Sequence, residues 1–358
     1  MAQECYGVEF NSVAEIIERA ISKKIFPCAC LEIGRTEDIL WRGAFGHLSY
    51  ERKSTAADHN TIFDLASLTK VIATAPLAMQ HVDARRWALS DYVTQHLRSW
   101  CGADRELVTI EDLLAHTSGL QAYLPLFQER VDPQQYKETL CRLPLQYAPR
   151  SESVYSDLGF ILLGFLIEDL TNMTLDDQFR NMAESSGLNE IQFLPPNSWK
   201  KRTAPTGDNQ MRGRCLIGEV HDDNGWALGG VAGHTGLFGS TSAVGRFARI
   251  ILGDFRGGQT LVSPATLQTF TRKTNIPNSS RALGWDTMLP TSSCGSRFSR
   301  SAIGHTGFTG TSLWIDPELD LYIACLTNRV HQTADSNAMQ RFRPELHDAA
   351  MRAFGVID

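Results

Sequence analysis

Strand patterns lie at both ends of this chain, and helical patterns fill the middle. Residues 28–33 and 39–45 are β-type runs joined by a polar turn, which predicts an antiparallel hairpin. Residues 312–315 and 321–326 flank a proline-containing turn and predict a second hairpin. Strands from distant ends share one sheet only if the residues between them form an insertion. We therefore predict an α+β fold: an antiparallel β-sheet built from both chain ends and flanked by terminal helices, with an inserted, mostly helical lobe.

The chain is predicted to form a single domain over residues 1–358 with two lobes. The sheet lobe takes residues 12–62 and 275–358, and the helical lobe takes residues 63–274. The capping box Ser12-Val13-Ala14-Glu15 indicates where the first helix begins. The other elements predicted near the two ends are helices over 12–24 and 337–354 and strands over 282–285 and 302–305.

Composition excludes several classes of function. The 358 residues carry a formal net charge of −6, so nothing favours binding to nucleic acid or to an anionic membrane. No apolar run approaches the ~18 residues of a membrane span, and residues 1–9 do not resemble a secretory signal. The eight cysteines are scattered without a Cys-x-x-Cys pair, which favours reduced thiols. We therefore expect a cytoplasmic protein.

Ser67-Leu68-Thr69-Lys70 is the first candidate catalytic motif. It stands at the start of a predicted helix, where residues three apart lie on one face. A lysine that loses its proton can then activate the serine hydroxyl as a nucleophile. The alternative is a helix cap at Ser67 with a solvated Lys70. The same spacing recurs at Ser198 and Lys201 in a predicted loop, so on this motif alone the cap is the preferred interpretation.

Two further polar motifs accompany strongly apolar segments. Tyr155-Ser156-Asp157 precedes a helix predicted to be buried, and it can be either a helix cap or part of a site. His305-Thr306-Gly307 lies inside a strand pattern, and Gly307 and Gly310 in a strand predict a close backbone approach by a ligand or another segment. The alternative is a bulge in a glycine-rich edge strand.

Taken together, the three motifs resemble those of the serine β-lactamase and penicillin-binding-protein superfamily in order and spacing. The chain looks closest to the class C-like branch, which contains carboxylesterases, D-aminopeptidases and DD-peptidases. Supporting stretches are 113–120, 226–238 and 326–329, and the resemblance covers residues 12–355. It implies the fold already predicted, with the active site between the sheet and the helical lobe.

The resemblance also implies a role for each motif residue. Ser67 would be the acylated nucleophile and Lys70 its proton acceptor, while Tyr155 would carry protons to the leaving group. The backbone N–H groups of Ser67 and Phe308 would form the oxyanion hole. Thr306 would line the substrate side of the strand. This chemistry needs no metal and no cofactor.

The resemblance also implies a set of substrate-binding residues: Asp157, His305, Thr306 and Gly307. Two of them depart from the usual motifs. Asp157 stands where asparagine is usual, and a carboxylate there raises the pKa of Lys70. His305 stands where lysine is usual, and a histidine that titrates near pH 7 is mostly neutral. We therefore expect weak recognition of substrates that carry a carboxylate, β-lactams included.

The predicted function is that of a serine hydrolase acting through an acyl-enzyme on a small ester, amide or peptide. The alternative is a catalytically silent penicillin-binding-like protein that binds peptide or cell-wall fragments. His221, Asp222, Asp223 and His234 lie close in sequence, but their spacing matches no common zinc pattern. They are predicted to form a loop at the mouth of the site, with no metal.

Overall fold

The computed structural model describes residues 10–128, 132–331 and 336–355. The helices are α1 (Asn11–Ser22), α2 (Ala75–Asp83), α3 (Val93–His96), α4 (Ile110–Leu114), α5 (Pro133–Arg142), α6 (Asp157–Thr171), α7 (Leu175–Ser185), α8 (Asp223–Ala227), α9 (Thr241–Phe255), α10 (Pro264–Thr271) and α11 (Ser336–Ala353). The strands are β1 (Cys28–Gly34), β2 (Ile39–Gly46), β3 (Ile62–Asp64), β4 (Ile191–Phe193), β5 (Gly207–Asn209), β6 (Arg214–Leu216), β7 (Leu237–Ser240), β8 (Asp286–Thr287), β9 (Ile303–Thr306), β10 (Ser312–Asp316) and β11 (Leu321–Thr327).

Both chain ends contribute to one six-stranded antiparallel sheet, in the order β2-β1-β11-β10-β9-β8. The two predicted hairpins, β1–β2 and β10–β11, are both present. The two hairpins pair with each other through β1 and β11, where Cys30 lies opposite Leu326. The predicted fold class is therefore confirmed, because strands from the two ends meet at the centre of the sheet.

Helices cover both faces of this sheet. Because side chains alternate along each strand, neighbouring residues point to opposite faces and contact different helices. Ala29 and Leu31 of β1 belong to the apolar cluster that includes residues of α1 and α11. Cys28 and Cys30 point the other way, into the larger core that includes residues of α9. These two cysteines, which alternate with Ala29 and Leu31, therefore share one side of β1.

The larger core continues from the sheet into the helical part of the chain. Helix α6 is buried on most of its circumference, as its apolar sequence predicts, and it contacts α4, α5 and α7. Helix α9 lies within the range assigned to the helical lobe, yet it packs on β1 and β11. The division at residue 274 stays a prediction.

Residues 282–285 do not form the strand that their apolar pattern predicts. Gly284 has a φ of +87°, and its N–H donates to Leu114 O at 2.8 Å. This left-handed conformation turns the chain, so the strand begins only at Asp286. Ala282 and Trp285 are buried, which explains the apolar pattern without a strand.

Among the described residues, no single helix has both the length and the apolar composition needed to cross a membrane. The bent pair α6 and α7, with a 79° angle at the break, meets both criteria only jointly.

Candidate active site

Ser67 lies at a sharp turn between a strand and a helix. Strand β3 ends at Asp64, and one oxygen of its carboxylate accepts a hydrogen bond from Ala66 N at 2.8 Å. Ala66 has a φ of +47°, a region that alanine rarely adopts, so the chain changes direction just before Ser67. A π-helical turn over Lys70–Thr74 then leads into α2. Strained backbone and π-helical turns both recur at functional sites.

Lys70 is fully buried directly below Ser67. Its Nζ donates to Ser67 Oγ at 3.0 Å, to Asp157 Oδ1 at 2.7 Å and to His234 O at 3.1 Å. These three acceptors satisfy all three protons of an ammonium group. The alternative of a solvated Lys70 beside a capping serine is therefore wrong, because no part of this side chain reaches the surface.

Tyr155 reaches Ser67 from the segment that precedes α6. Its hydroxyl donates to Ser67 Oγ at 2.8 Å, and its ring centroid lies 4.8 Å from that of His116. The next residue, Ser156, caps α6, because its Oγ accepts from Gly159 N at 3.1 Å. The cap and the site therefore coexist in this motif, and the buried helix fixes where Tyr155 stands.

The Lys70–Asp157 pair sets the charge of the site. Burial alone would lower the pKa of Lys70, but the charge of Asp157 and the neighbouring Tyr155 outweigh it and raise that pKa above its ordinary value. Burial raises the pKa of the Tyr155 hydroxyl. The resting site thus holds an ammonium at Lys70 and a protonated Tyr155, in agreement with the expected influence of Asp157.

The β9–β10 turn carries Phe308 up to the segment that precedes Ser67. Thr309 Oγ1 donates to Asp64 O at 2.7 Å, and Thr311 Oγ1 donates to Leu65 O at 3.1 Å. Within the described ranges, no hydrogen bond uses the N–H of Ser67 or Phe308. Two amide donors are therefore available beside the serine hydroxyl.

The predicted close approach at Gly307 is confirmed, and the approaching group is another backbone segment. A Cβ at Gly307 would lie 2.1 Å from Thr311 Oγ1 and 2.7 Å from Leu65 O. Gly310, with a φ of +112°, completes the turn. Both glycines lie just after β9 rather than within a strand.

His305 lies beneath the site, with only 3% of its surface exposed. Its Nδ1 lies 2.8 Å from Thr306 O, and a carbonyl only accepts, so the neutral ring offers a lone pair at Nε2. Burial, with the charges of Arg281 and Lys70, lowers the pKa of His305 well below its ordinary value. The prediction that His305 titrates near pH 7 is therefore wrong.

Arg281, in the loop between α10 and β8, is a charged neighbour that the motifs did not reveal. Its Cζ lies 4.9 Å from the centroid of the Tyr155 ring. No group in the described part of the chain forms a hydrogen bond or an ion pair with its guanidinium. Its charge also contributes to the lowered pKa of His116. Residue 305 is not a lysine, but Arg281 thus provides a positive charge near this position.

A cavity of about 470 Å³ opens above Ser67. Its lining includes Asp157, Phe308 and the segment His221–Asp223, so this loop lies at the site as predicted. His305, Thr306 and Gly307 are not among the lining residues, and their part in substrate binding stays a prediction.

The polar residues of this loop are engaged with one another rather than arranged around an ion. His234 Nε2 lies 2.9 Å from Asp222 Oδ1. The described residues contain no group of three or more His, Cys, Asp or Glu side chains that could hold a metal.

Comparison with solved structures finds the same fold. The hydrolase EstCE1, described as having promiscuous acyltransferase activity, superposes with a TM-score of 0.78 at 20% identity, covering 96% of this chain and 98% of that one. A penicillin-binding protein homologue from Caulobacter crescentus superposes with a TM-score of 0.76 at 20% identity, covering 98% and 99%. At this identity the likeness establishes the fold alone.

Relatives found by sequence comparison show which family this chain belongs to. A protein of Salmonella gallinarum named "Putative D-alanyl-D-alanine carboxypeptidase" is 30% identical, over 86% of this chain and 79% of the relative. An N-acetylmuramyl-L-alanine amidase of Bacillus subtilis is also 30% identical, over 90% and 81%. The family model described as Beta-lactamase matches residues 13–347. With that match over most of its length, the chain belongs to the beta-lactamase family.

Proposed function

We propose that this protein is a serine hydrolase that cleaves ester or amide bonds through an acyl-enzyme on Ser67. The observation that carries the proposal is the double contact of Ser67 Oγ, which accepts hydrogen bonds from both Lys70 and Tyr155 beside a cavity. A serine held by two proton-transfer groups is the arrangement that nucleophilic catalysis requires. The names of the relatives, a carboxypeptidase and an amidase, support a hydrolase of C–N bonds.

In the proposed reaction, Ser67 Oγ attacks the substrate carbonyl and loses its proton to Lys70. Because the resting Lys70 is an ammonium, it accepts that proton only after it has released one of its own to solvent, and the carboxylate of Asp157, 2.7 Å from its Nζ, makes this release harder. The N–H groups of Ser67 and Phe308 stabilise the negative oxygen of the tetrahedral intermediate. Tyr155 then gives its proton to the leaving group and recovers one from Lys70. Water repeats the sequence on the acyl-enzyme and releases the acid.

Intact-mass measurement tests the proposal directly. The protein is incubated with a fluorophosphonate, a p-nitrophenyl ester, a D-amino-acid amide and a penicillin. We expect a mass increase of one acyl or phosphonyl group, located on Ser67 by peptide mapping. Stoichiometric labelling of another residue, or no labelling by any probe, would contradict the proposal. The second outcome would favour a silent protein that only binds such ligands.

Arg281 is proposed to bind a carboxylate on the leaving group. Because its guanidinium has no ion-pair partner among the described residues and lies against Tyr155, it can supply the cation that His305 does not. This changes the expectation that carboxylate-bearing substrates are poorly recognised, which rested on position 305 alone.

The Arg281→Met variant should lower the preference for a free carboxylate. The measured quantity is the ratio of kcat/KM for an acyl-D-alanyl-D-alanine to that for its C-terminal amide. We expect this ratio to fall about tenfold, the value of one charge-assisted interaction. The control is Arg272→Met, which removes an exposed cation at the end of α10. Equal ratios in the parent and in the Arg281→Met variant would exclude this role.

A further inference from the structure

An arginine from the last helix holds the turn that carries Phe308. One terminal nitrogen of Arg343, on α11, donates to Gly307 O at 2.9 Å and to Thr311 O at 3.0 Å. Gly307 N donates to the same Thr311 carbonyl at 2.8 Å. Arg343 therefore binds both ends of the β9–β10 turn, although it lies more than thirty residues further along the chain.

The Gly307 carbonyl belongs to the same peptide unit as the Phe308 N–H. A cation that hydrogen-bonds to the oxygen of a peptide draws electrons toward that oxygen and makes the N–H a stronger donor. Gly310 N also donates to Gly307 O, at 3.1 Å, which strengthens the same polarisation. Arg343 thus acts on the backbone N–H of Phe308, a residue that lines the cavity together with Ser67, although Arg343 is not itself among the lining residues.

Arg343 lacks a negatively charged partner. Among the described residues, none places a carboxylate within ion-pair distance of its guanidinium, and its Nε is buried without a hydrogen-bond partner. Burial and the nearby Arg329 lower the pKa of Arg343 to about 10, so it remains a cation at neutral pH. A half-buried cation whose counter-ion is missing from the described part of the chain is costly, and its presence calls for a reason. The negative charge of a tetrahedral intermediate provides one.

Arg329 holds the next carbonyl of the same turn. Its Nε donates to Phe308 O at 2.7 Å, and its Cζ lies 4.7 Å from the centroid of the Phe308 ring. The peptide units on both sides of Phe308 are therefore held at their oxygens by guanidinium groups. This fixes the direction of the Phe308 N–H before any substrate binds, which is the condition for electrostatic stabilisation of a transition state.

We propose that Arg343 is a positioning residue that strengthens the oxyanion hole through the Gly307–Phe308 peptide. The inference rests on the proposed acyl-enzyme mechanism and adds to it a charge outside the cavity. The expected consequence is specific to the transition state and to the acyl carbonyl. Substrate binding before reaction should depend little on Arg343, because the side chain does not line the cavity.

The test compares Arg343→Gln, Arg343→Lys and the matched control Arg341→Gln, which removes an exposed arginine from the same helix. A slowly hydrolysed cinnamoyl ester, labelled with ¹³C at the carbonyl, traps the acyl-enzyme for difference infrared spectroscopy. In Arg343→Gln we expect the acyl C=O stretch to move to higher frequency. We expect kcat/KM for the ester to fall about tenfold, less than the loss of an oxyanion donor itself.

Arg343→Lys should restore most of both properties because it keeps a cationic donor, and Arg341→Gln should match the parent. An unchanged C=O stretch in Arg343→Gln, or a lowered kcat/KM accompanied only by a lower Tm, would reduce Arg343 to a structural residue and overturn the inference. A failure of the proposed function would look different, because the parent protein itself would then form no acyl-enzyme on Ser67. That result would also refute the inference about Arg343.

Discussion

Replacing Ser67 with alanine should lower hydrolysis of a p-nitrophenyl ester by at least about 10,000-fold, the usual consequence of removing a nucleophile. The side chain loses only a hydroxyl, so the loss would not reflect unfolding. Lys70 keeps Asp157 and His234 O as acceptors in this variant. Steady-state rates and a thermal melt, measured on the same preparation, separate lost chemistry from lost structure.

The chain offers a matched control for this experiment. Ser198 begins a second Ser-x-x-Lys sequence, but it is exposed and lies in the 3₁₀ turn Asn197–Arg202. Ser198→Ala should retain the activity of the parent. Ester hydrolysis at the parental rate by Ser67→Ala would refute the assignment of the nucleophile, whatever the result at Ser198.

Replacing Asp157 with asparagine should move the acid limb of the pH–rate profile to lower pH. In the parent, Asp157 raises the pKa of Lys70, so the unprotonated amine becomes available only as the pH rises. Without that negative charge the pKa of Lys70 falls, and the amine is available at lower pH. We expect a displacement of about one to two pH units, which amounts to about a 10- to 100-fold change in kcat/KM on the limb.

The pH profile of kcat/KM, measured from pH 6 to about 11 because the ordinary pKa of a lysine lies near 10.4, checks this expectation. Asp223→Asn is the control, because Asp223 also lines the cavity but pairs with Arg212 rather than with Lys70. A displacement of the limb to higher pH would show that Asp157 serves mainly as the proton acceptor of Lys70. In that case proton transfer from Lys70 to the Asp157 carboxylate matters more for the rate than the effect of that carboxylate on the pKa of Lys70.

The sequence predicts the contact between Ser67 and Lys70 because the information is local. Ser67 and Lys70 are joined by helical geometry, so a spacing of three residues is enough to bring their side chains together. Tyr155 lies further from Ser67 in the chain, but its motif precedes a helix whose apolar composition predicts that the helix is buried. The order of three such motifs then predicts both the fold and the groups that surround Ser67.

Arg281 and Arg343 escape prediction because nothing local distinguishes them. Arg281 lies over Tyr155 in an irregular loop, just before the turn at Gly284, where the apolar residues predicted a strand. Arg343 resembles other arginines of an amphipathic helix. Its contact with Gly307 exists only because α11 packs on the finished sheet. Tertiary packing, rather than residue spacing, places both cations.

The position of β11 between β1 and β10 also determines when the proposed active site can first form during synthesis. Strand β1 lies ready with β2 early in translation, but its other neighbour is encoded almost three hundred residues later. The turn bearing Phe308 and the helix bearing Arg343 emerge from the ribosome in the same late interval. Pairings of such long sequence separation form slowly. A nascent chain therefore carries Ser67 and Lys70 before the turn that bears Phe308 has been made, and the proposed oxyanion hole can form only once β11 pairs with β1.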